Sequence, residues 1–422
     1  GGEAGSGVHG APRPRGRGRA SSGELVEGRD FAVFRRTAPL SGVGNGGSGE
    51  PPAAAARLDE LLAAVSDGDS ASQPRVVLLG EVHDDEVAHL LQLRVLRHCL
   101  EACRLQGRRL ALSLEMFESD VQRVLDEYVV DRAIREEDFL QDSRPWGNYR
   151  EHYRPLVELC REAAERGVFV RVVAANAPRR YVSLVSRKGS SALGSLLAND
   201  AVAREALPPL PLPPASAAYQ QKFMETLASQ MPAQTSSEGS ASSGGCPFIG
   251  FKAQDVREAR PEMMEAQLLW DHSMAQSIAR SLKGDLRDFR PEGDAGQAAP
   301  PLVLHICGAF HCAHGLGIPE ALPQYMSRST GTAESSAHVA VAHDGSHSQS
   351  SAWLPMDDAM EGGSKSAAAF VGPKPCPPGV LSIVCWPASV ALTSEYVAGG
   401  RVPRPLGDMG DWVVITEETY GE

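Results

Sequence analysis

Residues 75–85 read RVVLLGEVHDD, in which four consecutive aliphatic residues precede a glycine, an acid and an imidazole. A short apolar run bounded by a glycine is typical of a strand that is covered on both faces of a sheet. The next segment, residues 86–106, is rich in helix formers. Glu81 and His83 are therefore predicted to lie on a strand-to-helix turn, where open α/β sheets bind their ligands.

The same pattern of a short apolar run followed by helix-forming sequence recurs along the chain. Further strands are predicted within residues 110–114, 168–175, 302–308, 380–386 and 412–416. Strands that alternate with helices across short connections indicate βαβ units. The sequence therefore predicts an α/β fold around a mainly parallel sheet.

The composition of the 422-residue chain excludes several classes of protein. A formal net charge of −12 argues against a nucleic-acid-binding protein, which would normally show a basic face. No apolar run approaches the roughly 20 residues of a transmembrane segment. The eight cysteines include no CxxC pair. They are predicted to be reduced core thiols rather than a zinc knuckle or a disulfide scaffold.

Sequence of low complexity precedes and interrupts the predicted domain. Residues 1–55 are rich in Gly, Pro, Ser and Arg and are predicted to be a disordered tail. An Arg- and Ser-rich start resembles the remnant of an organelle transit peptide and favours a plastid location, the alternative being a solvated tail on a cytoplasmic protein. Residues 56–422 are predicted to form a single α/β domain. Flexible insertions are expected at about 207–255, 290–301 and 327–378, with a short helix over 219–231.

Three predicted strand ends carry side chains suited to metal binding or acid–base chemistry. Gly80–His83 and Gly308–His311 share the form Gly-x-x-His, and Glu115 ends a strand between them in the chain. Glycine permits a tight turn and the close approach of a ligand. His83, Glu115 and His311 are the right ligand types for a divalent transition metal or an iron centre. They suit a general acid–base set equally well, and His314 is a further candidate ligand.

Other polar and aromatic residues allow two interpretations each. Glu115 could instead favour the dipole of the following helix. Asn176 and Arg179, at a fourth strand end, either bind an anion or fix the turn. Trp146, Tyr149 and Tyr153 form the kind of aromatic group that is more often core or lid than a ligand platform, although a flat aromatic-lined slot would suit a planar cofactor. His89 and His98 are predicted to be packed or surface residues of the helix after His83.

The ordered set of these segments resembles the ChaN-like haem-binding family of the Tiki/TraB/erythromycin-esterase superfamily. The resemblance spans about residues 73–322. It is carried by Leu79–Asp84, Leu114–Phe117, Trp146–Tyr153, Asn176–Arg179, Leu269–Asp271 with Met274-Ala275, and Gly308–His311 with Gly315–Pro319.

The resemblance implies a three-layer α/β/α sandwich. For the ChaN branch it implies haem binding through a tyrosine ligand and a histidine near the propionates, in a cofacial homodimer. Tyr149, Tyr153 and Tyr181 are the candidates for that tyrosine. The Tiki/TraB relatives imply instead a metal-dependent peptidase that uses paired Gly-x-x-His motifs and a glutamate.

Two functional hypotheses follow. In the first, the chain binds haem or a related tetrapyrrole, with a role in haem or iron uptake or handling. Its expected cofactor-binding residues are His83, His311, His314, Tyr149, Tyr153, Asn176 and Arg179. In the second, the chain is a metal-dependent hydrolase, with Glu81 or Glu115 as general base and a divalent transition metal that activates water. A scaffold that keeps the fold without the chemistry is a third, weaker interpretation.

Overall fold

The computed structural model describes residues 25–37, 53–66, 73–230, 260–283, 300–327, 374–388 and 408–417. Within these ranges the strands form one sheet in the order β2-β1-β8-β7-β3-β6-β4-β5. They are β1 (Phe31–Arg36), β2 (Ala53–Ala56), β3 (Val76–Glu81), β4 (Leu110–Glu118), β5 (Val170–Asn176), β6 (Leu302–Gly308), β7 (Val380–Ala388) and β8 (Trp412–Glu417). β1 is antiparallel to β2 and β8, and the other pairs are parallel, which confirms a mainly parallel sheet.

Helices cover both faces of this sheet. They are α1 (Leu58–Ser66), α2 (Glu86–Gln106), α3 (Gln122–Val129), α4 (Glu136–Asp142), α5 (Arg154–Glu165), α6 (Arg179–Lys188), α7 (Gly194–Asn199), α8 (Ala201–Ala206), α9 (Ala217–Gln230), α10 (Pro261–Lys283) and α11 (Ile318–Ser327). Alternate residues of β3 face opposite cores, because side chains alternate along a strand. Val77 and Leu79 pack in the core that contains α1, α2, α3 and α5. Val76 and Leu78 pack against α10 and α11. The three-layer α/β/α sandwich is thereby confirmed.

The strand and turn of residues 75–85 are formed as predicted. β3 lies between β6 and β7, with Glu81 opposite Gly308, so the two Gly-x-x-His segments leave the sheet side by side. Asp85 caps α2, because its carboxylate accepts a hydrogen bond from the Ala88 amide at 3.0 Å. The helix ends at Gly107, whose φ of 61° suits a glycine.

The prediction that residues 1–55 form a disordered tail is wrong for two segments. Residues 31–36 form β1, which is paired on both sides, and Phe31, Val33 and Phe34 are buried. These three apolar side chains provide burial that the flanking Gly- and Pro-rich sequence cannot. Residues 53–56 form β2, which is followed directly by α1 from Leu58. The rest of the predicted tail lies outside the described residues, apart from 25–30 and 37.

The expected flexible insertion over residues 207–255 is also wrong for its first half. The helix predicted there is present as α9, and Tyr219, Phe223 and Leu227 pack in one cluster with α10 residues such as Met263. Because these residues are spaced by four, they lie on one face of α9, and hydrophobic contacts of this face attach the segment to α10. Residues 231–255 and most of the insertions at 290–301 and 327–378 lie outside the described ranges.

Candidate functional site

A cavity of about 740 Å³ opens at the carboxyl ends of β3, β4, β5 and β6. It contains the predicted residues His83, Glu115, Asn176, Arg179 and His311. The full lining is His83, Asp84, Glu115, Met116, Glu118, Arg144, Pro145, Trp146, Gly147, Asn148, His152, Asn176, Ala177, Arg179, Trp270 and His311. The parallel strands therefore bring both Gly-x-x-His motifs and Glu115 to one edge, as expected for an open α/β sheet.

The first motif is anchored from behind by Glu81, which is buried and does not line the cavity. Its carboxylate accepts hydrogen bonds from His83 Nδ1 at 2.8 Å, from the Tyr153 hydroxyl and from the Gln92 amide. Burial alone would raise the pKa of Glu81, but the bond from His83 and the nearby imidazoles lower it. Glu81 therefore orients His83 and has little capacity left to act as a general base.

The second motif forms an ion-paired chain. His311 Nδ1 lies 2.6 Å from Asp271 Oδ1, and its Nε2 lies 3.5 Å from Glu115 Oε1. The second oxygen of Glu115 accepts a hydrogen bond from the Gly308 amide at 2.7 Å.

These contacts fix the charges of both side chains. Burial opposes a charged ring, but the Glu115 and Asp271 carboxylates outweigh it and raise the pKa of His311 to about 10. Burial likewise favours a neutral acid, but the charge and hydrogen bond of His311 lower the pKa of Glu115 to about 2. The cavity floor therefore presents an imidazolium beside a carboxylate.

The glycines of both motifs are required by close contacts. A Cβ at Gly308 would lie 3.0 Å from His83 Nε2 and 3.7 Å from Glu115 Oε2. A Cβ at Gly80 would lie 2.6 Å from Cys312 Sγ. Each glycine thus lets the two motifs approach one another, which is a packing reason for the repeated Gly-x-x-His form.

The wall of the cavity is aromatic. The Trp146 ring meets the His83 ring edge-on, with 5.0 Å between centroids. The His152 ring stacks on that of His89 at 4.1 Å and 14°. His89 is held in turn by its contacts with Gln92 Oε1 and the His83 carbonyl, both at 3.1 Å. A single turn of π-helix, residues 149–153, carries His152 to the cavity and turns Tyr149 and Tyr153 into the core.

Two arginines lie at the rim. Arg144 donates to Asp120 at 2.6 Å and to Glu118 at 3.1 Å, so its charge is already paired. Arg179, the first residue of α6, is exposed and has no side-chain partner in the part of the chain that the structure describes. The Asn176 side chain accepts from the Ala177 amide at 2.9 Å and so fixes the turn before α6.

Four predicted ligands do not line the cavity. Tyr149 and Tyr153 are buried, and burial raises the pKa of both hydroxyls, which disfavours a tyrosinate ligand. Tyr153 instead donates to Glu81. His314 lies beyond the cavity, where burial and the charge of Lys222 lower its pKa to about 4. Tyr181, in α6, packs in one cluster with Leu269 of α10 and does not line the cavity.

Three residues that contact His311 or Glu81 are not among the site residues predicted from the sequence. Asp271 pairs with His311 from the middle of α10, and Gln92 and His89 reach Glu81 from α2. None follows a strand, so the strand-end pattern could not find them. No group of three or more His, Cys, Asp or Glu residues within the described ranges is arranged to hold a metal ion. His83, Glu115 and His311 thus share a cavity without forming such a group.

Comparison with known proteins identifies the family. A family model described as haem-binding uptake, Tiki superfamily, ChaN, matches residues 69–322, which is more than half of the chain. The chain belongs to the ChaN family. That range includes both Gly-x-x-His motifs, Glu115 and Asp271. It excludes β1, β2, β7 and β8.

Two solved structures are similar to this chain. One is titled "Cofacial heme binding to ChaN of Campylobacter jejuni"; it has 12% identity and a TM-score of 0.49, with 94% of this chain and 100% of that one covered. The other is a Bacillus cereus protein with 9% identity and a TM-score of 0.34, with coverage of 83% and 90%. No curated protein matches the chain. Among the described residues, no helix has both the length and the hydropathy needed to cross a membrane.

Proposed function

We propose that the chain binds haem, or a related tetrapyrrole, in the cavity at the sheet edge. The observation that carries this proposal is the lining of that cavity, which combines an indole and imidazole rings with a rim arginine that pairs with no described side chain. Its volume of about 740 Å³ lies within the usual range for cofactor sites, roughly 300–1,000 Å³. Membership of a haem-binding family supports the same ligand.

The cavity offers a cation at its rim and an indole at its wall to an amphipathic ligand. Arg179 is available at the rim to pair with a carboxylate of the ligand, because no other described side chain competes for it. His311 lies between the Asp271 and Glu115 carboxylates, which neutralise its charge, so Arg179 is the cation that the cavity offers to the ligand. Trp146 excludes water from the face of a planar ring. Haem, when bound, would supply an iron centre that a side chain of the cavity would ligate.

His152 is the side chain best placed to be that ligand. Of the residues that ligate haem iron in proteins, His83, His152, His311 and Met116 line the cavity. His83 and His311 are engaged by carboxylates, whereas the His152 ring nitrogens have no hydrogen-bond partner among the described residues. Burial and the adjacent His89 lower the pKa of His152, which favours the neutral ring that a metal requires. The stacking contact with His89 fixes its plane.

A haemin titration followed at the Soret band tests whether the chain binds haem and whether His152 ligates the iron. The wild-type protein should bind one haemin per chain, and His152→Ala should shift the Soret maximum and the electron paramagnetic resonance spectrum of the complex. Arg179→Gln should weaken binding about tenfold without changing the spectrum, because a charge-assisted hydrogen bond contributes about 1.5 kcal/mol or more. Arg187→Gln, at the other end of α6, is the matched control. Absence of saturable binding at micromolar haemin contradicts the proposed function.

A metal-dependent hydrolase is the second candidate, and the contact of Glu115 with His311 beside His83 favours it. In that reading a divalent metal would supply activation of water, and Glu115 would act as general base. The low pKa of Glu115 makes it a weak base, and Glu81 is fully hydrogen-bonded, so both observations weigh against catalysis. Stoichiometric uptake of zinc, manganese, cobalt or iron, measured by elemental analysis, would support this candidate; no uptake would contradict it.

The family motivates two further expectations for this chain, and the composition of residues 1–55 motivates a third. A role in haem or iron uptake follows from the description of the family. A cofacial homodimer would appear as a haemin-dependent doubling of mass in light scattering. Plastid targeting by residues 1–55 remains a proposal that a fluorescent fusion can test.

A further inference from the structure

Helix α9 reaches the site through a shared carboxylate. The Tyr219 hydroxyl donates a hydrogen bond to Asp271 Oδ2, and both residues are buried. The other oxygen of Asp271 accepts from His311 Nδ1 at 2.6 Å. Asp271 therefore links a helix of the predicted insertion to the second Gly-x-x-His motif.

The same face of α9 also holds the turn that carries His311. Lys222 lies three residues after Tyr219, and its Nζ donates to the carbonyls of Phe310 at 2.6 Å and Ala313 at 2.8 Å. Its ammonium group also lies 4.8 Å from the centroid of the Phe310 ring. These two carbonyls flank His311 in the chain, so one side chain fixes the backbone on both sides of the imidazole.

The arrangement leaves little space for His311 to shift. A Cβ at Gly317 would lie 2.6 Å from the His311 carbonyl and 3.1 Å from the Asp271 carboxylate. The backbone of His311, the carboxylate of Asp271 and the next loop are thus in close contact. A small displacement of α9 would therefore be transmitted to the imidazole, because closely packed groups cannot move independently.

We propose that α9 is a positioning helix, in which Tyr219 acts through Asp271 and Lys222 acts through the 310–313 turn to set the orientation of His311 in the cavity. The packing of Phe223 against Met263 and Leu316 explains why the helix docks. This packing does not explain the polar contacts of Tyr219 and Lys222. A phenylalanine and an aliphatic side chain at these two positions would bury equal surface without removing an ammonium group from water. Supporting groups of this kind hold functional side chains in place. The proposal rests on the proposed function only in taking haem as the ligand of the cavity that His311 lines.

Proton NMR of the haem-free, full-length protein tests the proposal. The His311 Nδ1–H proton should give a far-downfield signal, identified by its loss in His311→Gln. Tyr219→Phe and Lys222→Met should each shift or broaden this signal, and Lys222→Arg should restore it, because arginine can still donate to both carbonyls. Tyr128→Phe and Lys188→Met are the matched controls. Tyr128 loses an equivalent hydroxyl bond, to Glu158 at 2.5 Å, and Lys188 is exposed; both should leave the signal unchanged.

Two results would overturn the proposal. One is an unchanged His311 signal in both Tyr219→Phe and Lys222→Met, with thermal melts that show a folded protein. The other is an equal disturbance of the signal in Phe223→Leu, which trims packing and leaves the polar contacts intact. Tyr219→Phe should also weaken haemin binding about three- to tenfold, as expected for one hydrogen bond. If the wild type binds no haemin, the proposed function fails, and the NMR comparison still decides the role of α9.

Discussion

Replacing Glu115 by glutamine is the sharpest perturbation of the ion-paired chain. Glutamine keeps the shape of the side chain and an oxygen that can accept from the Gly308 amide, but it removes the charge beside His311. The pKa of Glu115 falls from 4.5 to about 2, which corresponds to about 3 kcal/mol at 1.36 kcal/mol per pH unit. The larger rise of the His311 pKa, to about 10, also includes Asp271. We therefore expect Glu115→Gln to lower the free energy of unfolding by about 3 kcal/mol.

The pH dependence of this loss has a defined sign. Because the pKa of Glu115 is depressed, its contribution is complete above about pH 4.5 and disappears as the pH falls towards 2. Because the pKa of His311 is raised, its contribution is complete below about pH 6.5 and disappears as the pH rises through 10. The difference between wild type and variant should therefore be largest between about pH 4.5 and 6.5.

Urea denaturation at pH 6 and at pH 10.5 measures this difference. The matched control is Glu118→Gln, in the same strand, which loses only a contact with the half-exposed Arg144 and should cost less than about 1 kcal/mol. A loss below about 0.5 kcal/mol for Glu115→Gln at pH 6 would refute the ion-paired chain. A loss that grows between pH 6 and pH 10.5 would refute it as well.

Three further changes test other parts of the account. Gly80→Ala should reduce the free energy of unfolding by about 1–3 kcal/mol in urea melts, because its Cβ would lie 2.6 Å from the Cys312 sulfur; Gly147→Ala, with open space around the Cβ, should not. Gln122→Leu should cost about 1–3 kcal/mol, since its amide pairs with two backbone groups of the edge strand β5 at 2.8 and 2.9 Å. Tyr149→Phe should leave both stability and the Soret spectrum of the haemin complex unchanged, because its hydroxyl has no hydrogen-bond partner among the described residues and does not reach the cavity.

The central strand and the convergence of its neighbours could be predicted because they depend on local pattern. Four aliphatic residues before Gly80 indicate a buried strand, and parallel strands must end at one edge. That argument alone placed His83, Glu115 and His311 together. The outer strand β1 was missed because three apolar residues within a Gly- and Pro-rich tail give too short a pattern to identify.

The partners of the site could not be predicted because they come from distant elements. Asp271 lies in the middle of a helix, 40 residues before His311 in the chain, and only the packing of α10 on the sheet brings them together. The burial of Tyr149 and Tyr153 could not be predicted for a related reason. A single turn of π-helix decides which side chains of residues 149–153 face the cavity, and residue spacing does not encode that turn.

The position of haem iron in the protein tests the central claim most directly. Crystals of the wild-type protein with haemin, measured at the iron absorption edge, should show one strong anomalous peak inside the cavity walled by Trp146 and within bonding distance of His152. A peak outside this cavity would contradict the assignment of the cavity as a haem site. The absence of any peak in crystals grown with a saturating excess of haemin would contradict it as well.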